Sequence, residues 1–198
     1  MRLDELRIGT ASFKDVTVGR GGNFLAGLGP DAPSGVLSAQ GFPGAVLTFD
    51  FPARRLTIRR GQLPAADGRR TFEYAAAEVL PTVPVRLNGI EFTIHLDTGA
   101  PSTISLPIAA AKALELDGVL VSAGTARLPS GEFPIFVAPF TGRAELGEFV
   151  LRLNRLMFSD MRAGPRAGKG VIGMTLLRDF VVSVDADHRR IQFTRTPR

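Results

Sequence analysis

One aspartate in this sequence sits where a carboxylate could do acid–base chemistry. Asp97 follows the alternating stretch Val83-Pro84-Val85-Arg86-Leu87-Asn88-Gly89-Ile90-Glu91-Phe92-Thr93-Ile94-His95-Leu96 and opens the turn Asp97-Thr98-Gly99-Ala100. Apolar and polar residues in alternation are the signature of a strand with one buried face, and the glycine permits a tight turn. The pattern puts a carboxylate at the end of a buried strand, on the floor of a cleft. A second carboxylate brought within about 3 Å would share a proton with it, because two such groups do not both ionise comfortably. The ionised member can then activate water while the protonated member polarises a carbonyl. A hairpin protein whose aspartate only caps a turn is the alternative reading of the same residues.

A second stretch lies further along the chain. Gly170-Val171-Ile172-Gly173-Met174-Thr175-Leu176-Leu177-Arg178-Asp179-Phe180 leads into Val181-Val182-Ser183-Val184-Asp185, a turn at Ala186-Asp187-His188-Arg189, and Arg190-Ile191-Gln192-Phe193. An apolar strand, Asp-Thr-Gly-Ala and a distal Val-Ile-Gly, in this order, resemble the aspartic peptidases and specifically the bacterial retropepsin-like ones. The resemblance implies an all-β, pepsin/retropepsin-like acid-protease β-barrel. In it Val171-Ile172-Gly173 runs beside the Asp97 loop, with glycine where the two backbones nearly touch. A short helical turn over 174–178 and a closing hairpin would follow.

The activity implied is that of an aspartic endopeptidase, hydrolysing peptide bonds with water activated by paired aspartates. Asp97, Thr98 and Gly99 would be catalytic: the carboxylate, a hydroxyl that holds the partner loop in register, and the residue that allows the turn. Substrate contacts would fall at Ala100, Ile172 and Gly173, and at a flap tip, Ser130 and Gly131. The flap would be a hairpin running from Val119 to Leu128 and back from Glu132 to Phe140. Ile104, Phe133 and Ile172 would give the cleft apolar walls. Ala100 offers no hydroxyl to the carboxylate, so the expected working optimum lies nearer weakly acidic to neutral pH than strongly acidic. No cofactor and no metal are implied. Asp-Thr-Gly occurs once in the chain, so the partner aspartate would come from a second copy in a homodimer or from a second lobe. A non-catalytic module that holds extended peptides by strand addition on the same fold is the competing function.

The chain also carries an internal repeat. Residues 35–58 align without gaps on residues 170–193. Gly35, Val36, Val46, Asp50, Arg54 and Arg55 match Gly170, Val171, Val181, Asp185, Arg189 and Arg190. Residues 1–63 are therefore expected to be the rear half of a partial, divergent lobe, residues 64–78 a linker, and residues 79–198 a complete lobe. Phe13-Lys14-Asp15-Val16-Thr17-Val18 is expected to correspond to Leu153-Asn154-Arg155-Leu156-Met157-Phe158. Ser38 stands where Gly173 stands, and Gly41-Phe42-Pro43-Gly44 is expected to abolish the short helix at that place.

Composition narrows the classes. With 198 residues, 44% hydrophobic and 22% charged, the chain can bury a core. The clearest helical pattern spans Leu106 to Leu116, with Pro107 suited to a first turn. Absence of cysteine excludes disulfides, thiolate catalysis and Cys-ligated zinc. The two histidines, His95 and His188, lack metal-ligand spacing, and His95 is expected to be structural. Ser102 and Ser105 lie outside any Gly-x-Ser-x-Gly elbow, which argues against a serine hydrolase. A net charge of +5 comes mainly from arginine pairs at hairpin ends without interleaved aromatics, so a solvated surface is expected rather than nucleic-acid binding. Neither a targeting signal nor a membrane-spanning run is legible. The chain as given reads as soluble and cytoplasmic, and as periplasmic or exported if a segment precedes Met1.

Overall fold

The computed structural model describes residues 2–19, 35–78, 80–128, 131–160 and 168–195. Strands dominate, because Val, Ile, Leu, Phe and Thr alternate with polar residues over short runs cut by Gly, Pro and Asp. In chain order they are β1 (Arg2–Ile8), β2 (Ala11–Thr17), β3 (Ala45–Asp50), β4 (Arg55–Arg60), β5 (Thr71–Glu73), β6 (Thr82–Leu87), β7 (Ile90–Leu96) and β8 (Ile104–Leu106). They continue with β9 (Val121–Leu128), β10 (Gly131–Pro139), β11 (Ala144–Leu146), β12 (Phe149–Leu151), β13 (Arg155–Ser159), β14 (Gly170–Ile172), β15 (Val181–Asp185) and β16 (Arg190–Thr194). One short α-helix, α1 (Met174–Leu177), follows β14. Among the described residues no helix is long and apolar enough to cross a membrane.

A nine-stranded sheet, ordered β12-β11-β6-β7-β14-β8-β13-β10-β9, positions the Asp97 loop. Its centre is β14, parallel to β7 and antiparallel to β8. The β6–β7 hairpin turns at Asn88 and Gly89, both with positive φ, the geometry that a two-residue hairpin requires. Ile94, Ile104, Leu106, Phe158, Ile172 and Phe180 are almost fully buried in a single core.

The helix expected over Leu106 to Leu116 is shorter and tighter than its pattern suggests. Leu106 is drawn into β8, where it pairs with Phe158, and only Ile108–Ala113 turns, as a 3₁₀ helix. Pro107 at its N-cap gives no side-chain hydrogen bond, so neither capping nor length favours a full α-helix. Within the stretch expected as linker, β5 pairs with β16. There Asp67 Oδ1 accepts the backbone N–H groups of Arg69, Arg70 and Thr71, each at 2.8 Å. These bonds, Thr71's foremost, lower the Asp67 carboxyl to about 2.

The smaller sheet, β4-β3-β15-β16-β5, has internal symmetry. Its central pair is antiparallel, with Val46 facing Asp185, Thr48 facing Ser183 and Asp50 facing Val181. Thr48 and Ser183, 135 positions apart, share a 2.8 Å hydrogen bond between their hydroxyls. The repeat aligned these two residues on each other, so the hydroxyl pair lies on a local two-fold axis. Both hairpins obey the same rotation. Asp50 Oδ1 accepts from Ala53 N–H at 3.0 Å and Asp185 Oδ1 from His188 N–H at 3.1 Å, while Arg54 and Arg189 close the two turns at φ of 51° and 52°.

Two expectations about the first repeat are corrected. Its short helix is not abolished, since Ala39–Gly41 forms one 3₁₀ turn at the place of α1. Ser38, in the position of Gly173, accepts the Gln40 N–H with its hydroxyl at 3.3 Å, and this cap offsets the poor propensity of the residues that follow. Nor does the segment Phe13 to Val18 take the place of Leu153 to Phe158. Phe13 to Thr17 lies in β2, the return strand of a hairpin, whereas Arg155 to Ser159 forms β13 between β10 and β8.

Asp185 ties the symmetric sheet to the segment that follows β4. It is almost fully buried, and its carboxylate accepts the Leu63 N–H at 2.9 Å and the His188 ring Nδ1 at 3.0 Å. Burial opposes its ionisation, yet the bonds from Leu63 and His188 prevail and hold its carboxyl below the usual range. A depressed folded-state value contributes stability that is present above the unfolded-state value, about 3.9, and is lost as pH falls through the folded one. Thermal melts from neutral to acid pH should therefore show Asp185→Asn costing about 1–3 kcal/mol near neutrality, with part of the wild-type loss of stability below about pH 4 missing from the variant.

Candidate active site

The Asp97 loop is built by the crossing of two chain segments. From β7 the chain leaves the sheet at Leu96 and turns through Asp97 to Thr103 before re-entering as β8. Beneath this turn β14 runs into Gly173 and α1. Five bonds between the segments hold the crossing: Asp97 N–H to Ile172 O at 3.0 Å, Gly173 N–H to Thr103 O at 3.0 Å, Met174 N–H to Ala100 O at 2.7 Å, Thr175 N–H to Ser102 O at 3.1 Å, and the Thr175 hydroxyl to Pro101 O at 2.6 Å. Each satisfies a backbone group that would otherwise be stranded near the core.

Gly173 is where the two backbones meet. A Cβ placed on it would fall 2.5 Å from both the Ala100 and the Ser102 carbonyl oxygens, far inside van der Waals contact. Its φ is −110°, so the glycine is required by space and not by a left-handed conformation. Gly170, at the start of β14, is similarly confined, with a Cβ meeting Ser105 O at 2.9 Å.

The carboxylate itself is oriented by its own turn. Asp97 Oδ1 accepts the Gly99 N–H at 2.8 Å, and the Ala100 N–H closes the turn on Asp97 O at 3.3 Å. Asp97 and Ala100 are half-buried, while Thr98 and Gly99 are exposed at the rim. An acid group fixed at one oxygen by a backbone donor, at the end of a rigid strand, is suited to proton transfer.

Asp97, Thr98, Gly99, Ala100, Ile172 and Gly173 are thus brought together by the fold. Their roles separate, however. Ile172 and Ile104 are fully buried, because β14 and β8 are interior strands, so the side chains expected to wall the cleft belong to the core. What Ile172 offers the loop is its carbonyl. Gly131 opens β10, opposite Leu128 in the β9–β10 hairpin, and Ser130 lies outside the described residues. His95 is fully buried on β7, beside Val171 and Thr82. Sequence reasoning gave no role to Pro101 and Thr175 and weighed Ser102 only as a hydrolase nucleophile, whereas the backbone and hydroxyl groups of these residues lace the loop. The one available signal was a threonine two residues beyond the crossing glycine. Among the described residues no cluster of His, Asp and Glu could hold a metal ion.

No protein-family model and no curated protein matches the chain. Solved structures of retropepsin-like aspartic proteases are similar to it. The EIAV protease complexed with the inhibitor HBY-793 aligns at 22% identity over 54% of this chain and 92% of that one, with a TM-score of 0.42. A retropepsin-like aspartic protease from Rickettsia conorii aligns at 18% identity over 61% of this chain and 96% of that one, with a TM-score of 0.44.

The crossing makes a direct prediction. Gly173→Ala should destabilise the protein by about 1–3 kcal/mol or more and shift the backbone resonances of residues 97–103. Unchanged stability in a denaturant titration, with unmoved loop resonances, would contradict the close approach described here.

Proposed function

We propose that the chain is an aspartic-type endopeptidase in which Asp97 is one of two catalytic carboxylates. The observation that carries this reading is the Asp97 turn itself. A carboxylate oxygen held by the Gly99 N–H at 2.8 Å sits on a loop pinned from below by Gly173. Loops fixed this firmly serve a group whose position matters, since misplacement by about 1 Å can cost 10²-fold in rate.

In the proposed reaction, water lies between Asp97 and its partner aspartate. The ionised member of the pair takes a proton from the water as its oxygen attacks the peptide carbonyl, and the protonated member hydrogen-bonds the carbonyl oxygen as it gains charge. The tetrahedral intermediate then collapses, with the C–N bond breaking as the leaving nitrogen receives a proton. Thr98, exposed beside Asp97, would meet the partner loop, and the β9–β10 hairpin would cover the substrate. The partner aspartate belongs to another polypeptide segment, either a second copy of this chain or another lobe.

Cleavage of a diverse peptide pool from about pH 3 to about pH 7, as a protein concentration series, tests the reading. Asp97→Asn should lower the rate about 10²–10⁴-fold or more at an unchanged melting temperature. A wild-type rate that rises faster than linearly with concentration marks a second copy as the source of the partner aspartate. A rate indifferent to Asp97→Asn sinks the proposal, and peptide binding without cleavage by the folded protein at every concentration favours the binding module instead.

A further inference from the structure

The Asp97 loop returns to the sheet with four successive carbonyls bonded to the residues that follow β14. Ala100 O accepts from the Met174 N–H, Ser102 O from the Thr175 N–H and Thr103 O from the Gly173 N–H. Pro101 O, among them, accepts from a side chain instead, the Thr175 hydroxyl, at 2.6 Å. Three of the donors are backbone groups that nearly any residue would supply. The fourth depends on the choice of one residue.

Burial does not force that choice. Pro101 is exposed and Thr175 half-buried, so water could satisfy both groups at little cost in stability. Nor is it the usual habit of a helical threonine, whose hydroxyl ordinarily bonds to nearby backbone; here its acceptor lies 74 positions away. The bond gains leverage from the residue that accepts it. Proline fixes its own φ and confines the residue before it, so holding the Pro101 carbonyl also holds Ala100. The Ala100 N–H in turn donates to Asp97 O at 3.3 Å, and the Gly99 N–H donates to Asp97 Oδ1 at 2.8 Å. A short, stiff chain of contacts thus runs from the Thr175 hydroxyl to the carboxylate.

We propose that Thr175 is a positioning residue whose hydroxyl, through Pro101, sets the bearing of the Asp97 carboxylate. Its effect on catalysis rests on the peptidase reading, whereas its hold on the loop does not. Removal of the hydroxyl leaves the backbone bonds of the crossing in place, so the loop stays folded while Pro101 and the turn before it gain freedom. The carboxylate then spends less time where it and its partner aspartate can share a water. The loss falls on the chemical step: turnover slows while substrate affinity and global stability hold.

Four forms of the full chain test this: wild type, Asp97→Asn, Thr175→Val, which keeps the branched shape without the hydroxyl, and Thr175→Ser, which keeps the hydroxyl. On a peptide that the wild type cleaves, Thr175→Val should lower kcat about tenfold or more with KM and melting temperature nearly unchanged. Thr175→Ser should restore most of the rate. Hydrogen exchange reads the loop without any need for activity. The Gly99 and Ala100 amides should exchange about tenfold faster in Thr175→Val and at the wild-type rate in Thr175→Ser. Equal kcat in wild type and Thr175→Val, a loss of rate that follows a loss of melting temperature, or no rescue by Thr175→Ser would each overturn the proposal. Cleavage that Asp97→Asn leaves intact, or no cleavage by the wild type, counts against the peptidase reading alone, and exchange then decides. Loop amides indifferent to Thr175→Val overturn the positioning role, and faster exchange that Thr175→Ser reverses upholds it.

Discussion

The contact on which the rest of the structure depends is the crossing of two backbones at Gly173. Two oxygens, from Ala100 and Ser102, lie where a Cβ would stand, and from that point hydrogen bonds run outward along both segments. The crossing does three things at once. It seats β14 between β7 and β8, it starts α1 directly beneath the loop, and it fixes the direction in which Asp97 leaves its strand. A side chain at this position would push the loop away from the core, and the carboxylate would lose its fixed bearing. The catalytic reading and the packing of the large sheet thus rest on the same absent atom.

The second constraint is the seam between β3 and β15. Its hydroxyl pair contributes only about 0.5–1.5 kcal/mol as a hydrogen bond, but its symmetry matters more than its strength. An antiparallel pairing centred on two equivalent residues aligns one hairpin with its counterpart by rotation, so neither can slip by one residue without exchanging its buried and solvent faces. Leu47 and Val182, both buried, keep that register. Asp185 extends the seam to Leu63 and His188, and Gly44 N–H donates to Asp187 Oδ2 at 2.7 Å across the two repeats.

Much of this architecture was legible in the sequence because it depends on local pattern. The strand before Asp97, the Asn88-Gly89 turn, the glycine after Val171-Ile172 and the short helix following it are each determined by residues close together in the chain, and the repeat by residues that match one for one. What could not be read was decided by tertiary context. Leu106 is a good helix former, yet pairing with Phe158 in β13 claimed it for a strand. Ile172 looked like a cleft wall because it neighbours Gly173, but an interior strand turns both of its faces into protein. Ser38 seemed only a departure from glycine, although its hydroxyl caps a turn that its neighbours alone disfavour.

The same contrast separates the two repeats. Around β14 the apolar side chains Val171 and Ile172 are covered by β7 and β8, and the loop above it holds one oxygen of the Asp97 carboxylate by the Gly99 N–H. Around Val36 and Leu37 the matching residues remain apolar while the matching walls are absent among the described residues. Burial of a Val or Leu side chain is worth about 1.5–3 kcal/mol, a gain that Val171 and Ile172 make and that Val36 and Leu37 largely forgo.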